Sequence, residues 1–156
     1  MNYPKYGLTS NNDFTVFKFI STGKNGIITK IIKFTKTNNE FVFNLGFGDK
    51  SILATDKDLV VDDIAISNNG DRNKILATIA NAVFVFTKNY PERYVYFTGT
   101  TSVRTRLYRM VISNNFKELS SVFHIFGIVH DQKSNKNEAI NFDHGKNFIG
   151  FLIKRK

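Results

Sequence analysis

The chain has 156 residues, 42% of them hydrophobic and 14% aromatic, with sixteen Phe, no Trp and no Cys. A chain of this length buries roughly two-thirds of its unfolded surface as one domain, and its aromatic content is too high for a disordered segment. Without cysteine there are no disulfides, no thiolate metal sites and no cysteine nucleophile. Lysine and arginine outnumber aspartate and glutamate 22 to 13, a net charge of +9. Residues 88–156 hold twelve basic against five acidic side chains, and residues 1–87 ten against eight. A basic surface concentrated in one half suits nucleic acid, a phosphate-bearing small molecule or an acidic protein, and equally an ordinary set of solvated lysines.

Residues 1–13 are polar and read as a lead-in, ordered only where something ties them down. They show no basic-then-apolar leader pattern, and no run in the chain approaches the roughly 18 apolar residues of a membrane span. The expectation is a soluble, cytoplasmic protein. Phe14–Ile20 and Ile27–Thr35 read as strands joined by the turn Thr22–Gly26. Phe41–Phe47 is the clearest strand, with Phe41, Phe43, Leu45 and Phe47 on one face. Short turns make an antiparallel meander the cheapest topology. Gly48–Asp58 reads as a loop and Leu59–Ser67 as a fourth strand.

Asn68-Asn69-Gly70-Asp71 is a tight turn that opens a helix, with Asn69 or Asp71 placed to cap it. That helix, Arg72–Lys88, is apolar on most sides and is expected to be covered; Ile75, Ile79, Val83 and Phe86 form its main stripe. Tyr94–Thr98 reads as a strand and Thr101–Ser113 as a second helix burying Val103, Leu107, Met110 and Val111. A short turn at Phe116–Leu119 follows, then an apolar strand Val122–Val129, a polar loop over residues 130–147 and a last strand Phe148–Ile153. The fold class is α+β in a single domain: a meander of about four strands, a buried helix, then a β-α-β-β second half.

The stretches NLGFGD (44–49), ISNNGDRNKILATIANAVFVFT (66–87), YFTGTTSVRTRLYRM (96–110) and the closing KNFIGFLIKRK resemble an uncharacterised family of small bacterial proteins, a domain of unknown function. The resemblance covers most of the chain and implies a fold without an activity. More loosely, strands followed by a helix are similar to half of a whirly-type single-stranded nucleic-acid-binding domain, although the second half departs from a duplicated whirly pattern.

The chemistry-bearing stretch is Tyr94–Met110. A strand feeding a helix through Gly99, Thr100, Thr101 and Ser102 gathers free N–H groups and the positive end of the helix dipole at one corner. Three of the six arginines, Arg104, Arg106 and Arg109, follow within one helix. Arg104 and Tyr108 share one flank of it, Arg106 and Arg109 the other, so an extended phosphodiester fits their spread better than a compact phosphate. The competing explanation is ion pairing with Asp62, Asp63 or Asp71. Tyr94, Tyr96 and Tyr108 are the stacking candidates for a single strand.

The turn Asn69, Gly70, Asp71 and Arg72 is the second candidate, either a binding edge or a capping turn. Asp56, Asp58, Asp62 and Asp63 match no metal-ligand loop. His124 reads as a core or rim residue, and His144, near Asp143 and Lys146, as the one histidine with catalytic-looking neighbours. No phosphate-loop, dinucleotide or serine-hydrolase motif is present, so no cofactor and no metal are expected. The leading expectation is a non-enzymatic module for single-stranded DNA or RNA. The alternatives are a protein-interaction component with an acidic partner and a small enzyme on a phosphate-bearing ligand.

Overall fold

The computed structural model describes residues 3–50 and 69–156. The strand expected at 59–67 and the acids Asp56, Asp58, Asp62 and Asp63 lie outside them. In chain order the elements are β1 (Thr9–Ser10), β2 (Val16–Gly23), β3 (Gly26–Lys36), β4 (Val42–Asp49), α1 (Arg72–Asn89), β5 (Tyr94–Phe97), α2 (Ser102–Asn114), α3 (Phe116–Val122), β6 (Phe123–Asp131), β7 (Lys136–Asn141) and β8 (Gly150–Arg155). The described strands hydrogen-bond in the order β1-β2-β3-β4-β5-β8-β6-β7. The β4–β5 pair is parallel, as a crossover through a helix demands. The pairs β1–β2, β2–β3, β5–β8, β6–β7 and β6–β8 are antiparallel. The class is the expected α+β, with a meander and a buried helix, and the second half runs β-α-α-β-β-β where β-α-β-β was expected.

Backbone contacts group the chain into two compact units, Met1–Thr35 with Leu45–Asn89, and Lys36–Asn44 with Tyr90–Lys156. In the first, β2 and β3 form a hairpin in register from Val16↔Lys33 to Gly23↔Gly26. Gly26 closes its turn at φ +93°, a region open to glycine at little strain. Paired residues share a face, so Phe17 and Phe19 stand beside Ile32 and Lys30. Phe34 stacks on Phe86 of α1 with ring centroids 4.1 Å apart. Ile75, Leu76, Ala82, Val83 and Phe86 are buried, whereas Ile79 is only half-buried. The buried hydroxyls of Thr78 and Thr87 donate to the carbonyls of Lys74 and Val83, which satisfies them within α1.

The lead-in is tied to this unit. Thr9 and Ser10 pair with Lys18 and Phe17, and the Tyr6 N–H donates to Thr78 Oγ1 at 2.9 Å. The Tyr6 ring stacks on Phe19 and lies 4.1 Å from the Lys74 ammonium. Among the described core residues one is charged: Lys30 has no exposed surface, and its ammonium pairs with the Asp49 carboxylate.

In the second unit the register separates two faces. Phe43, Val95, Ile153 and Ile125 line up across β4, β5, β8 and β6, as do Phe97, Phe151 and Gly127 across the last three. All of these are buried except Phe97, which is half-buried. The helices lie on this face: Tyr108 of α2 meets Phe97 edge-on at 6.0 Å, and Phe116 of α3 stacks on Phe142, a neighbour of Phe148 and Phe151.

Two elements differ from the sequence expectation. The stretch read as a loop over residues 130–147 contains β7, paired with β6 from Phe126↔Asn141 to Asp131↔Lys136. The turn at Phe116–Leu119 is a helix of seven residues.

Candidate functional site

At the end of β5 the chain turns sharply into α2. A side chain at Gly99 would lie 2.5–2.8 Å from the Thr105 nitrogen and from Arg104 atoms, so only glycine lets the strand end pass this close to the helix. The Gly99 N–H donates to Thr105 Oγ1 at 3.1 Å, and that hydroxyl donates to the Thr101 carbonyl. The Thr98 hydroxyl donates to the Ile149 carbonyl at 2.6 Å. Thr101 is the N-cap, in extended conformation, and accepts from the Arg104 N–H. Replacing Thr101 with Ala should therefore destabilise the fold by about 1 kcal/mol, read as a lower urea midpoint; an unchanged midpoint would show that the cap is dispensable.

The expected buried stripe of α2 is corrected. Val103 is 74% exposed and Met110 49%, while the buried positions are Thr105 and Ile112. The helix is rotated because Thr105 must face Gly99 to accept its N–H, and Val103 and Met110 then face outward with Arg106. The arginines do not share one point of binding. The Arg104 guanidinium donates to the Thr100 hydroxyl at 2.6 Å. Arg109 donates to the Lys146 carbonyl at 3.1 Å and to Asn147 Oδ1 at 2.7 Å, pinning the segment before β8. Arg106 is exposed. Thr100 and Ser102 are exposed at the corner, and Tyr108 is half-buried against Phe97.

The second candidate is a joint within the first unit. Asn69, 4% exposed, donates to Ser21 Oγ and the Gly26 carbonyl, each at 3.0 Å, and accepts from the Asn25 N–H. Asp71 Oδ2 accepts from the Tyr6 and Ser21 hydroxyls, each at 2.6 Å, and its carbonyl accepts from Ile75. Gly70 takes φ +78°, and Arg72 is exposed at the helix start. These bonds hold the β2–β3 hairpin and the lead-in to the first turn of α1. Among the described residues, no group of three His, Asp or Glu is placed to hold a metal ion. The His144 ring meets Phe116 and Phe142 edge-on.

The face of the second unit opposite its helices is the feature that sequence reasoning underused. Register aligns Tyr96, Leu152 and Phe126 in one row across β5, β8 and β6, and Tyr94, Lys154 and His124 in the next. Val42 and Asn44 flank these rows on β4, and Asn141 lies opposite Phe126 on β7. His124 is exposed; Tyr94, Tyr96, Phe126, Leu152 and Lys154 are half-buried. His124 thus faces solvent, since Phe123 and Ile125 take the inward positions. The Lys154 ammonium lies 5.8 Å from the Tyr94 ring. Across the paired residues of β4 to β8 this face carries Lys154, His124 and His130 and no carboxylate. The signal was in the alternation of FHIFGIV and GFLIKR, in which His124 and Phe126, and Leu152 and Lys154, fall on the face opposite the helices.

Comparison with curated proteins and with solved structures finds no match. No helix among the described residues is long and apolar enough to cross a membrane. A family model described as a family of unknown function (DUF6934) matches residues 2–156, and the chain belongs to that family.

Proposed function

We propose that this chain is a non-enzymatic module that binds single-stranded nucleic acid on the helix-free face of its second unit. The observation that carries the reading is a face, without a carboxylate among the described paired residues, on which Tyr94, Tyr96 and Phe126 surround Lys154 and His124. Aromatic rings offer stacking surfaces to unpaired bases, and the Lys154 ammonium meets the phosphates. The unit as a whole holds twelve basic against six acidic side chains, which favours a polyanion at longer range. The arginine-bearing helix α2 stands on the opposite side of the sheet and supplies field more than contact.

Fluorescence polarisation of labelled oligonucleotides over a salt series tests this. The expected result is log K falling linearly with log salt, with a slope of about −0.7 for each phosphate contacted. Absence of binding to single strands at low salt overturns the proposal.

One observation favours a second reading. Val103, Arg106 and Met110 form an outward stripe on α2 that nothing in the described chain covers. It fits an acidic protein segment with apolar anchors. Under that reading Arg106→Glu abolishes capture of a protein partner and leaves oligonucleotide binding unchanged.

A further inference from the structure

Resting on the nucleic-acid reading, the geometry points to a short site of two or three nucleotides that crosses the strands, with Tyr96 as the stacking ring, Gly150 as the residue that seats it and Lys154 as a phosphate contact. The argument starts at Gly150. A side-chain carbon built there would lie 2.7, 2.8 and 2.9 Å from Tyr96 Oη, Cε2 and Cζ. Three similar distances at the outer end of the ring mean that the ring lies flat across the Gly150 backbone. One face of the ring is therefore against the sheet, and the other is turned outward as a platform. Glycine at 150 is what permits this pose, because any side chain would lift the ring off the sheet.

The two rows set the path. Bases fit over Tyr96, Leu152 and Phe126, and the sugar-phosphate chain fits alongside, over Tyr94, Lys154 and His124. Neighbouring strands are about 4.8 Å apart, so the rows span roughly 10 Å from β5 to β6. That is the scale on which a sheet with aromatic side chains stacks two or three bases. The platform stops on both sides. Toward β7 the same face presents Asn137, Ala139 and Asn141, and toward β4 it presents Val42 and Asn44. Neither side adds a ring or a cation. The ligand class is therefore a short unpaired segment, such as a loop or an end, rather than a long tract.

The test uses the full chain and fluorescein-labelled oligo(dT) and oligo(U) of two to ten nucleotides at low salt. Affinity is expected to climb to about three nucleotides and then flatten. Tyr96→Leu, which keeps bulk on Gly150 but loses the ring, should weaken binding about 5- to 150-fold, the loss of one stacked base. Tyr96→Phe should bind as the parent does. Gly150→Ala keeps every ring and charge and should still lose part of the affinity. Lys154→Gln should reduce the salt slope by about 0.7. Thermal unfolding by circular dichroism checks each variant; if Gly150→Ala does not fold, the Tyr96 pair decides. Affinity that keeps rising to ten nucleotides overturns the short site. So does parent-like binding by Tyr96→Leu together with loss in Arg106→Gln, which moves the strand onto α2. A parent chain that binds no oligonucleotide of any length overturns the nucleic-acid reading itself, and the site with it.

Discussion

Replacing Asp49 with Ala should destabilise the fold by about 3–5 kcal/mol, because the Lys30 ammonium loses a paired carboxylate while remaining buried. Lys30 has no exposed surface, and Asp49 retains 22% of its side-chain exposure. The ammonium also lies 5.8 Å from the Phe47 ring. Taking both charges out of water offsets much of their attraction. The double variant Lys30→Met with Asp49→Leu should consequently match the parent or exceed it in stability. Urea denaturation of the three proteins separates the outcomes. If Asp49→Ala and the double variant lose the same stability, the pair's value lies in packing and not in charge compensation.

Phe151→Ala should lose a similar amount, about 3–5 kcal/mol for a large aromatic deleted from a core, or a fall in Tm of roughly 6–20 °C for a chain of this size. Phe151 is fully buried and meets Phe97, Phe142 and Phe148 with centroids at 5.4, 6.2 and 6.0 Å. Truncating it removes the shared neighbour of three rings. Leu152 is the next residue on β8 but points to the open face, and Leu152→Ala should lose only on the order of 1 kcal/mol, as half-buried apolar surface does. Equal losses at the two positions would mean that the open face is not open.

Much of the fold was legible wherever local pattern and tertiary context agree. The Phe-alternating strand, the apolar helix after Asn69-Gly70-Asp71 and the Thr101 cap all follow from periodicity or capping chemistry. Two features were not legible, for physical reasons. The strand KNEAIN has little intrinsic strand character; it exists because β6 offers it a hydrogen-bonding partner. The phase of α2 is ambiguous in sequence, because VRTRLYRMVI supports stripes through either Val103 and Met110 or Tyr108 and Ile112. A polar residue, Thr105, decided between them through its bond to Gly99, a contact that hydrophobic periodicity does not register. The candidate site shifted for a related reason. Arginines stand out in sequence, whereas Leu152, Lys154, His124 and Phe126 become one surface only when β8 is placed between β5 and β6.

The polarity that hid β7 has a use. A terminal strand exposes a row of unpaired N–H and C=O groups, which is a template for another chain's strand and hence for aggregation. Along β7 the side chains Lys136, Asn137, Glu138 and Asn141 are exposed, and a lysine and a glutamate on such a margin disfavour an apolar newcomer. At the other end, β1 spans only two residues, too few to register a stranger's backbone. Among the described strands, a sheet in a chain with sixteen phenylalanines thus has one charged margin and one very short one, which keeps its rings from recruiting further copies.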